Sequence, residues 1–415
     1  MTLSFGFGTG SQSVSVPEEN LLGALHMNPA APERTGQEAV GYALENPIGL
    51  ARLSEIVPKS KKIAIVTSDI SRPCPSWDIL PPLLAELERG GVDLADVTLV
   101  FGLGSHRHQT EAEMRHLAGP AFDCIRCVDS DCNDCIRMGV TGRGTPVDIT
   151  RVVAEADFRI CLGNVEYHYF AGYSGGAKAI MPGVSSRDAI QANHRMMVQN
   201  EACAGRLEGN PLRMDIEEAG RICGIHYIVN VVLDEHKQII FAAAGDVTAA
   251  HRAGCRYLDT LYRKTIPQRA DIVLVSQGGA PKDLNLYQTQ KALDNAKHAV
   301  RPGGIIILIG SCKEGLGEKC FERWIQEAKC SHDLIDRVQT HFELGGHKAA
   351  AIAMVLENAR IFLVSEMDPE LVRKCFLEPY SSAQKALDDA FAILGSNATV
   401  LAMPYGGSTL PIVEQ

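Results

Sequence analysis

The chain has 415 residues, of which 46% are apolar and 22% charged, as is typical of soluble globular proteins. This length exceeds one ordinary hydrophobic core and predicts two domains. A formal net charge of −10, without any Lys/Arg-rich block, argues against nucleic-acid binding. The chain has no apolar run of the ~20 residues that a membrane helix needs, and its first residues do not resemble a signal peptide. Because the thirteen cysteines are scattered, we expect reduced thiols in a cytoplasmic protein that does not bind membranes.

Apolar, β-branched runs alternate with helical stretches along the chain. The first strand is predicted at residues 62–67, the next helix at 77–89 and the second strand at 96–101. Six later strands share this apolar character and are predicted at 158–162, 227–233, 272–275, 305–309, 361–364 and 399–403. Strands that are apolar throughout and separated by helices imply mainly parallel sheets covered by helices on both faces. The predicted fold class is therefore α/β.

The predicted domain boundary follows a helical stretch at residues 250–263, where Pro267 breaks helical continuity. The predicted domains are 1–267, with most of the reactive residues, and 268–415. The final segment, 404–415, is predicted to begin as a loop that can pack back onto the first domain. We expect the active site in the cleft between the two domains.

Reactive side chains follow three of the predicted strands at the point where each strand ends. They are Asp69, Ser71 and Arg72 after the first strand, His106, Arg107 and His108 after the second, and Glu166 and His168 after the third. Ligands bind at this edge in open α/β sheets, so we expect these side chains to form one site.

The segment 163–194 is the densest in reactive residues and contains the sequence GYSGGAK, which ends at Lys178. Its glycines allow a tight turn and a close approach to a bound group. The loop is not a Walker A motif, because alanines flank the lysine where that motif has Gly and Ser/Thr. A pyridoxal phosphate Schiff base would need partners for the pyridinium and the phosphate, and the sequence identifies none. Taken alone, this segment is most simply a glycine-rich turn with a solvated lysine.

Five separated signatures change that interpretation. They are DISRPCP at 69–75, GSHRHQT at 104–110, the segment 166–183 with its GYSGGAK core, Asn193-His194, and GGAPKDLNLYQTQK at 278–291. With all five in this order, the chain resembles the lactate racemase family, whose enzymes carry a nickel-pincer nucleotide, over nearly its whole length. The resemblance implies a racemase or epimerase that inverts C2 of a small anionic 2-hydroxy acid by proton-coupled hydride transfer.

The resemblance also implies roles for individual residues. Lys178 would hold the cofactor, pyridinium-3,5-bisthiocarboxylic acid mononucleotide nickel, through a covalent thioamide, and His194 would be the protein's nickel ligand. His106 and His168 would be the catalytic acid/base pair. The other implied contacts are Arg72, Tyr287, Gln288 and Lys291 for the substrate, and Asp69, Ser174, Gly175 and Gly176 for the cofactor. Cofactor-synthesis proteins are implied partners, and the oligomeric state is left open.

The chemistry explains why these residue types are needed. The α-hydrogen of a 2-hydroxy carboxylate is very weakly acidic, because the carbanion would lie beside a negative carboxylate. Removing a hydride while a base takes the hydroxyl proton gives a planar 2-keto acid instead, and returning the hydride to the other face inverts the centre. Imidazole suits the base on each side near neutral pH. Arg72 and Lys291 can bind the carboxylate, and nickel accepts imidazole and sulfur ligands.

Two other functions are compatible with the same residues. One is a lyase or dehydratase that uses the histidines without a hydride acceptor. The other is a nickel- or nucleotide-binding carrier without turnover. The bulky Tyr167, Tyr169 and Phe170 surround His168, and Phe170 would change the wall of the pocket near the substrate's side chain if it faces inward. The resemblance therefore does not select lactate among 2-hydroxy acids.

Two further features are interpreted as structural. His106, and not His108 two residues later, matches the position of the family's catalytic histidine, so His108 is interpreted as structural. The four cysteines of a CxxC-x4-CxxC pattern are Cys124, Cys127, Cys132 and Cys135. The short central gap fits neither paired zinc knuckles nor ferredoxin spacing, so free thiols are favoured over a metal site.

Overall fold

The computed structural model describes residues 1–59 and 61–414. The chain divides into two compact units. The central unit is Pro29–Leu261, and the terminal unit combines Met1–Asn28 with Tyr262–Gln415.

Within the described residues the chain forms twenty β-strands. They are β1 (Thr2–Phe7), β2 (Gly10–Ser15), β3 (Leu21–Ala24), β4 (Ile63–Ser68), β5 (Val97–Gly102), β6 (Arg126–Asp129), β7 (Cys135–Val140), β8 (Pro146–Thr150), β9 (Phe158–Asn164), β10 (Tyr167–His168), β11 (Gly172–Tyr173), β12 (Tyr227–Leu233), β13 (Ile239–Gly245), β14 (Arg263–Ile266), β15 (Ala270–Ser276), β16 (Val300–Ile309), β17 (Ala359–Val364), β18 (Glu378–Tyr380), β19 (Val400–Met403) and β20 (Leu410–Val413). Each of the eight predicted strands is among them.

The same residues form fifteen α-helices. They are α1 (Gly36–Glu45), α2 (Leu53–Ile56), α3 (Ser76–Arg89), α4 (Glu111–Ala118), α5 (Arg151–Ala154), α6 (Arg187–His194), α7 (Pro211–Cys223), α8 (Val247–Tyr262), α9 (Leu286–Thr289), α10 (Leu293–Ala296), α11 (Lys319–Glu327), α12 (Ser331–Thr340), α13 (His347–Leu356), α14 (Pro369–Lys374) and α15 (Ala383–Leu394). The predicted helix at 77–89 corresponds to α3. Short 3-10 turns lie at Glu18–Asn20, Leu94–Asp96, Gly119–Asp123, Gly176–Ala179, Arg195–Val198 and Gln290–Ala292.

The central unit contains a six-stranded sheet in the order β13-β12-β9-β4-β5-β6. All neighbours pair in parallel except β12 and β13, which are antiparallel. Its strands β9 and β12 are buried along their whole length, as expected for a sheet with both faces covered. Two antiparallel pairs, β7 with β8 and β10 with β11, stand outside this sheet.

The terminal unit contains a second six-stranded sheet, in the order β18-β17-β16-β15-β19-β3, and all its neighbours are parallel. The helix α15 packs on one face with the β1–β2 hairpin, and their apolar side chains share a core with β15, β16 and β17. The two units together give the predicted α/β fold with mainly parallel sheets.

The first 28 residues do not belong to the unit in which the predicted division at residue 267 places them. They belong to the terminal unit, because β3 pairs in parallel with β19 and completes that unit's sheet. The final segment, predicted as a loop, contains β20, which pairs in parallel with β14. Both pairings join strands far apart in the chain, which local sequence patterns do not specify.

Within residues 1–59 and 61–414, no helix combines the length and the apolar character that crossing a membrane requires.

Candidate active site

The carboxyl ends of β4, β5 and β9 lie at one edge of the central sheet. Ser68, the last residue of β4, pairs with Gly102, the last residue of β5, and β4 also pairs in parallel with β9. The loops that follow these strands therefore start side by side, at the edge where ligands bind in open α/β sheets. The three polar clusters expected to share one site therefore follow strands that end at the same sheet edge.

Asp69 is buried directly after β4, and its carboxylate contacts His106 from the loop after β5. The Oδ2 atom accepts a hydrogen bond from Nδ1 of His106 at 2.5 Å. The Oδ1 atom accepts from the hydroxyl of Ser71 at 2.6 Å and from its backbone N–H at 3.1 Å. Burial alone would raise the pKa of Asp69, but these hydrogen bonds and the charges of His106 and Arg72 hold it below its ordinary value. The ionised carboxylate therefore fixes the ring of His106.

Gln109, in the loop that follows β5, connects the loop after β4 with the last residue of β6. Its Oε1 accepts from the backbone N–H of Ile70 at 2.8 Å, and its Nε2 donates to Oδ1 of Asp129 at 3.0 Å. Asp129 also contacts Nδ1 of His108 at 3.2 Å, and that ring is 71% exposed. Of the two neighbouring histidines, only His106 is hydrogen-bonded to Asp69.

His168 lies on a small hairpin formed by β10 and β11. The hydroxyls of Tyr167 and Tyr173, which face each other across the hairpin, both donate to Oδ1 of Asp259 on α8 at 2.8 Å. Within the turn, the backbone N–H of Ala171 donates to Nδ1 of His168 at 3.3 Å. The hairpin and the imidazole ring are thus each held by specific hydrogen bonds.

The GYSGGAK loop begins with β11 of this hairpin and is held by hydrogen bonds of Ser174 and Gly176. The hydroxyl of Ser174 donates to the carbonyl of Asn164 at 2.7 Å and accepts from the backbone N–H of Glu166 at 2.9 Å. Gly176 donates its backbone N–H to Oδ1 of Asn230 on β12 at 2.8 Å. Gly175 has φ of 74°, and a Cβ there would lie 2.8 Å from the same Oδ1, so this position requires glycine.

Two buried basic side chains, Arg213 and His251, hold carbonyl groups of this loop. Arg213, with a side chain only 1% exposed, donates to the carbonyl of Tyr173 at 3.3 Å and is paired with Glu217. His251 donates from Nε2 to the carbonyl of Ser174 at 2.8 Å. Burial and the charge of Arg213 hold the pKa of His251 well below its ordinary value, so its ring is neutral at neutral pH.

Lys178 lies in the 3-10 turn Gly176–Ala179 that ends the loop. Burial, followed by the charges of Arg72 and Arg213, holds the pKa of its amine well below the ordinary value of a lysine. Its Nζ lies 5.7 Å from the ring centroid of Phe170. A lysine in this environment carries a larger neutral fraction near neutral pH, which favours nucleophilic attack.

His194 is the last residue of α6 and is buried. Its Nδ1 lies 3.1 Å from Oδ1 of Asn193. The amide nitrogen of Asn193 donates to Oδ2 of Asp215 at 2.8 Å and to the carbonyl of Leu212 at 3.3 Å, so its oxygen is the atom that faces His194. His194 therefore carries hydrogen on Nδ1 and a lone pair on Nε2, the state in which a histidine ligates a metal through Nε2.

Phe170 is in contact with three of the predicted functional residues. Its ring lies edge-on to His168 at 4.4 Å and to His194 at 5.0 Å between centroids, and it faces the amine of Lys178. The ring is 4% exposed. The three residues are thus assembled around one buried aromatic side chain.

The predicted substrate residues Tyr287, Gln288 and Lys291 lie in the terminal unit, on α9 and the following 3-10 turn. The side chain of Asn285 caps α9 by accepting from the backbone N–H of Gln288 at 3.1 Å. The amine of Lys291 donates to Oε1 of Gln288 at 2.5 Å. The ring of Tyr287 lies edge-on to Phe321 at 5.7 Å. Gln288 and Lys291 therefore form one local cluster, and Tyr287 precedes them on α9 with its ring against Phe321.

A second amine, that of Lys348 on α13, belongs to the same region of the terminal unit. It is nearly buried and lies 3.5 Å from a carboxylate oxygen of Asp294 on α10. Burial outweighs this partner, and together with the charge of Lys291 it lowers the pKa of Lys348 to about 8.

The CxxC-x4-CxxC cysteines carry free thiols. Burial raises the pKa of Cys127 and of Cys135 to about 11, so neither thiol is activated. Among residues 1–59 and 61–414, no group of three or more His, Cys, Asp or Glu side chains is placed to hold a metal ion.

Several residues that support the site were given no role from the sequence, although Gln109 and Asn193 lie within the quoted signatures. They are Gln109, Asn193, Arg213, Asp215, Asn230, His251 and Asp259. Asn230 had a usable signal, since it is the one polar residue in the otherwise apolar strand β12. Four of the others, Gln109, Arg213, His251 and Asp259, bind partners 39 to 92 residues away in the chain, which a local pattern does not reveal.

Family models match both parts of the chain. Residues 7–205 match the lactate racemase N-terminal domain and residues 265–410 match the lactate racemase C-terminal domain. The chain belongs to the lactate racemase family. Two curated relatives named lactate racemase, from Thermoanaerobacterium thermosaccharolyticum and Lactiplantibacillus plantarum, are each 32% identical to it. The alignments cover 97% of this chain and 97% of the first relative, and 95% and 96% for the second. The resemblance inferred from the five signatures is confirmed, and membership of this family makes the chain an isomerase.

Solved structures support the same family assignment. The lactate racemase apoprotein from T. thermosaccharolyticum superposes with a TM-score of 0.88 at 30% identity, over 100% of both chains. A Thermotoga maritima protein superposes with a TM-score of 0.64 at 18% identity, over 93% of this chain and 100% of its own, and shares the fold.

Proposed function

We propose that this lactate racemase family member inverts C2 of a small anionic 2-hydroxy acid, using a nickel-pincer nucleotide tethered to Lys178. The observation that carries the proposal is the assembly around Phe170. It places a lysine amine with a strongly lowered pKa beside two histidines, one of them with its lone pair on Nε2. Racemases are the named relatives of the chain, which supports the same reaction class.

The residues present fit this cofactor. Lys178 has an amine of lowered pKa, as bond formation with a thiocarboxylate carbon requires. His194 can offer Nε2 to nickel, because Asn193 accepts its Nδ1 hydrogen. The backbone of the glycine-rich loop, including Gly175 and Gly176, can approach a nucleotide closely. When bound, the cofactor would supply a hydride acceptor for C2 of the substrate.

The chain's own groups would then manage the substrate and its proton. His106, oriented by Asp69, would take the hydroxyl proton at Nε2 while the hydrogen on C2 departs as hydride. His168 would serve the substrate oxygen after the planar keto acid reorients. Arg72 would bind the carboxylate by charge-assisted hydrogen bonds. Gln288 and Lys291, which are hydrogen-bonded to each other in the terminal unit, stay predictions for substrate binding.

The cofactor assignment is tested by producing the chain with and without the cofactor-synthesis proteins and measuring intact mass and nickel content. We expect an adduct on Lys178 and bound nickel only when those proteins are present. The Lys178→Arg variant is the matched control, since it keeps a cation but cannot form the thioamide. Absence of adduct and nickel in both preparations would overturn the assignment.

The reaction is tested on loaded enzyme with a panel of single-enantiomer 2-hydroxy acids. Lactate comes first in this panel because it is named for the relatives. A substrate deuterated at C2 distinguishes the mechanisms. Hydride return retains the label in the inverted product, whereas proton abstraction at C2 exchanges it with water, and a lyase would release an unsaturated product instead.

A further inference from the structure

The three histidines of the proposed site are all hydrogen-bonded at Nδ1, but their partners differ in kind. A neutral imidazole carries one N–H and one lone pair, so the partner at Nδ1 decides which of them is left on Nε2. Nδ1 of His106 faces a carboxylate and Nδ1 of His194 faces an amide oxygen, whereas Nδ1 of His168 faces a backbone N–H.

At His106 the partner can only accept. The Oδ2 atom of Asp69 lies 2.5 Å from Nδ1, and the lowered pKa of Asp69 keeps the carboxylate ionised. The hydroxyl of Ser71 also lies 3.2 Å from Nδ1, but it donates its hydrogen to the other oxygen of Asp69 at 2.6 Å. Nδ1 must therefore carry the hydrogen, and the lone pair is on Nε2.

At His168 the partner can only donate. The backbone N–H of Ala171 points at Nδ1 with an N···N distance of 3.3 Å, so this atom must carry the lone pair. The hydrogen of the neutral ring is then on Nε2. The ring is packed between Tyr169, stacked at 5.4 Å, and Phe170, edge-on at 4.4 Å, which opposes its rotation.

We propose that His106 and His168 rest in opposite tautomers and are therefore not interchangeable at the start of a reaction. This inference rests on the proposed racemase function and assigns the order in which the two residues act. Nε2 of His106 can take the hydroxyl proton at once, and the imidazolium that forms faces Asp69. Nε2 of His168 first donates a hydrogen bond to the substrate oxygen.

The contact with Ala171 also sets a condition on His168. This ring can accept a proton at Nε2 only if its hydrogen is on Nδ1, where the N–H of Ala171 now points. Two donors cannot share a hydrogen bond, so the contact with Ala171 must break before His168 acts as a base. The two directions of the reaction therefore begin from unequal states of the enzyme.

The test is a two-bond ¹H–¹⁵N correlation spectrum of the full-length chain labelled with ¹⁵N-histidine, recorded without substrate or cofactor. It is recorded from about pH 7 to about pH 10 so that the neutral rings are observed. The variants His106→Gln and His168→Gln assign the signals by their disappearance. If either variant unfolds, Asp69→Asn identifies His106, and Tyr169→Leu, which removes the ring stacked on His168, identifies His168 by the signals that shift.

We expect the Nδ1–H pattern for the neutral ring of His106 and the Nε2–H pattern for that of His168, with His194 as an internal control that matches His106. A shared tautomer for His106 and His168, or hydrogen on Nδ1 of His168, would overturn the inference. The proposed function would be overturned by different measurements, namely the absence of racemase activity and of a Lys178 adduct. This spectrum measures neither of them.

Discussion

The contact between Asp69 and His106 predicts that Asp69→Asn inactivates the enzyme by inverting a tautomer. Both the hydroxyl and the backbone N–H of Ser71 donate to Oδ1 of Asp69, at 2.6 and 3.1 Å. In the variant, the amide oxygen keeps these two donors, so the amide nitrogen is the atom that faces His106. An N–H donor there places the lone pair of the ring on Nδ1 and a hydrogen on Nε2, which can no longer take the hydroxyl proton.

The size of the effect follows from the same chemistry in the serine-protease triad, where the corresponding Asp→Asn change lowers kcat about 10⁴-fold through the wrong tautomer. We expect a loss of about 10³- to 10⁴-fold here, equivalent to about 4 to 5.5 kcal/mol of transition-state stabilisation. The near-isosteric amide keeps its bonds to Ser71, so the fold and the cofactor on Lys178 should be retained.

The assay is kcat of loaded enzyme with one enantiomer of a 2-hydroxy acid, normalised to the fraction of chain that carries the Lys178 adduct by mass. Asp69→Ala is the comparator, because it removes the carboxylate without presenting a donor to His106. The asparagine variant should be no more active than the alanine variant. Activity of Asp69→Asn within about tenfold of the wild type, a loss of about 1.4 kcal/mol or less, would refute the tautomer argument.

Three further predictions follow from the site. His106→Ala and His168→Ala should each abolish turnover while the intact mass still shows bound cofactor; full activity in either variant would exclude the acid/base pair. Because burial lowers the pKa of Lys178, a small acylating reagent should modify it in cofactor-free chain near neutral pH faster than the exposed Lys313, as measured by peptide mass spectrometry; equal rates would contradict the lowered pKa. Asn193→Ala should weaken nickel retention about 10- to 100-fold during dialysis against a chelator; unchanged retention would show that this hydrogen bond does not tune the ligand.

The sequence predicted most of what depends on local pattern. The strands of both sheets were recognisable because parallel strands covered on both faces are apolar along their length, as in β9 and β12. It was predictable that Asp69 and His106 lie at the same edge of the sheet, since parallel strands place their carboxyl ends together. What the pattern does not contain is the atom that each side chain contacts. Asp69 was expected near the cofactor, and its contact with His106 emerged only from the folded chain.

Long-range partners account for the rest of what was not predicted. Asp259 accepts hydrogen bonds from the hydroxyls of Tyr167 and Tyr173, about ninety residues earlier in the chain. In the sequence, Asp259 is simply one acidic residue on an amphipathic helix. The first 28 residues likewise pair with a strand from the end of the chain. Their strand β3 lies at the edge of the terminal unit's sheet, in parallel with β19.

The division of the chain has a consequence for the order in which the protein is made. The central unit is one continuous stretch of chain, so Pro29–Leu261 can be complete on the ribosome before most of the later residues are translated. The sheet of the terminal unit cannot be completed in this way, because β3 pairs with β19, which is synthesised almost 380 residues later. Lys178, the lysine proposed to carry the cofactor, therefore lies in the unit that is able to fold first. The opening segment with β3 must stay soluble without its partner β19 until synthesis is nearly over.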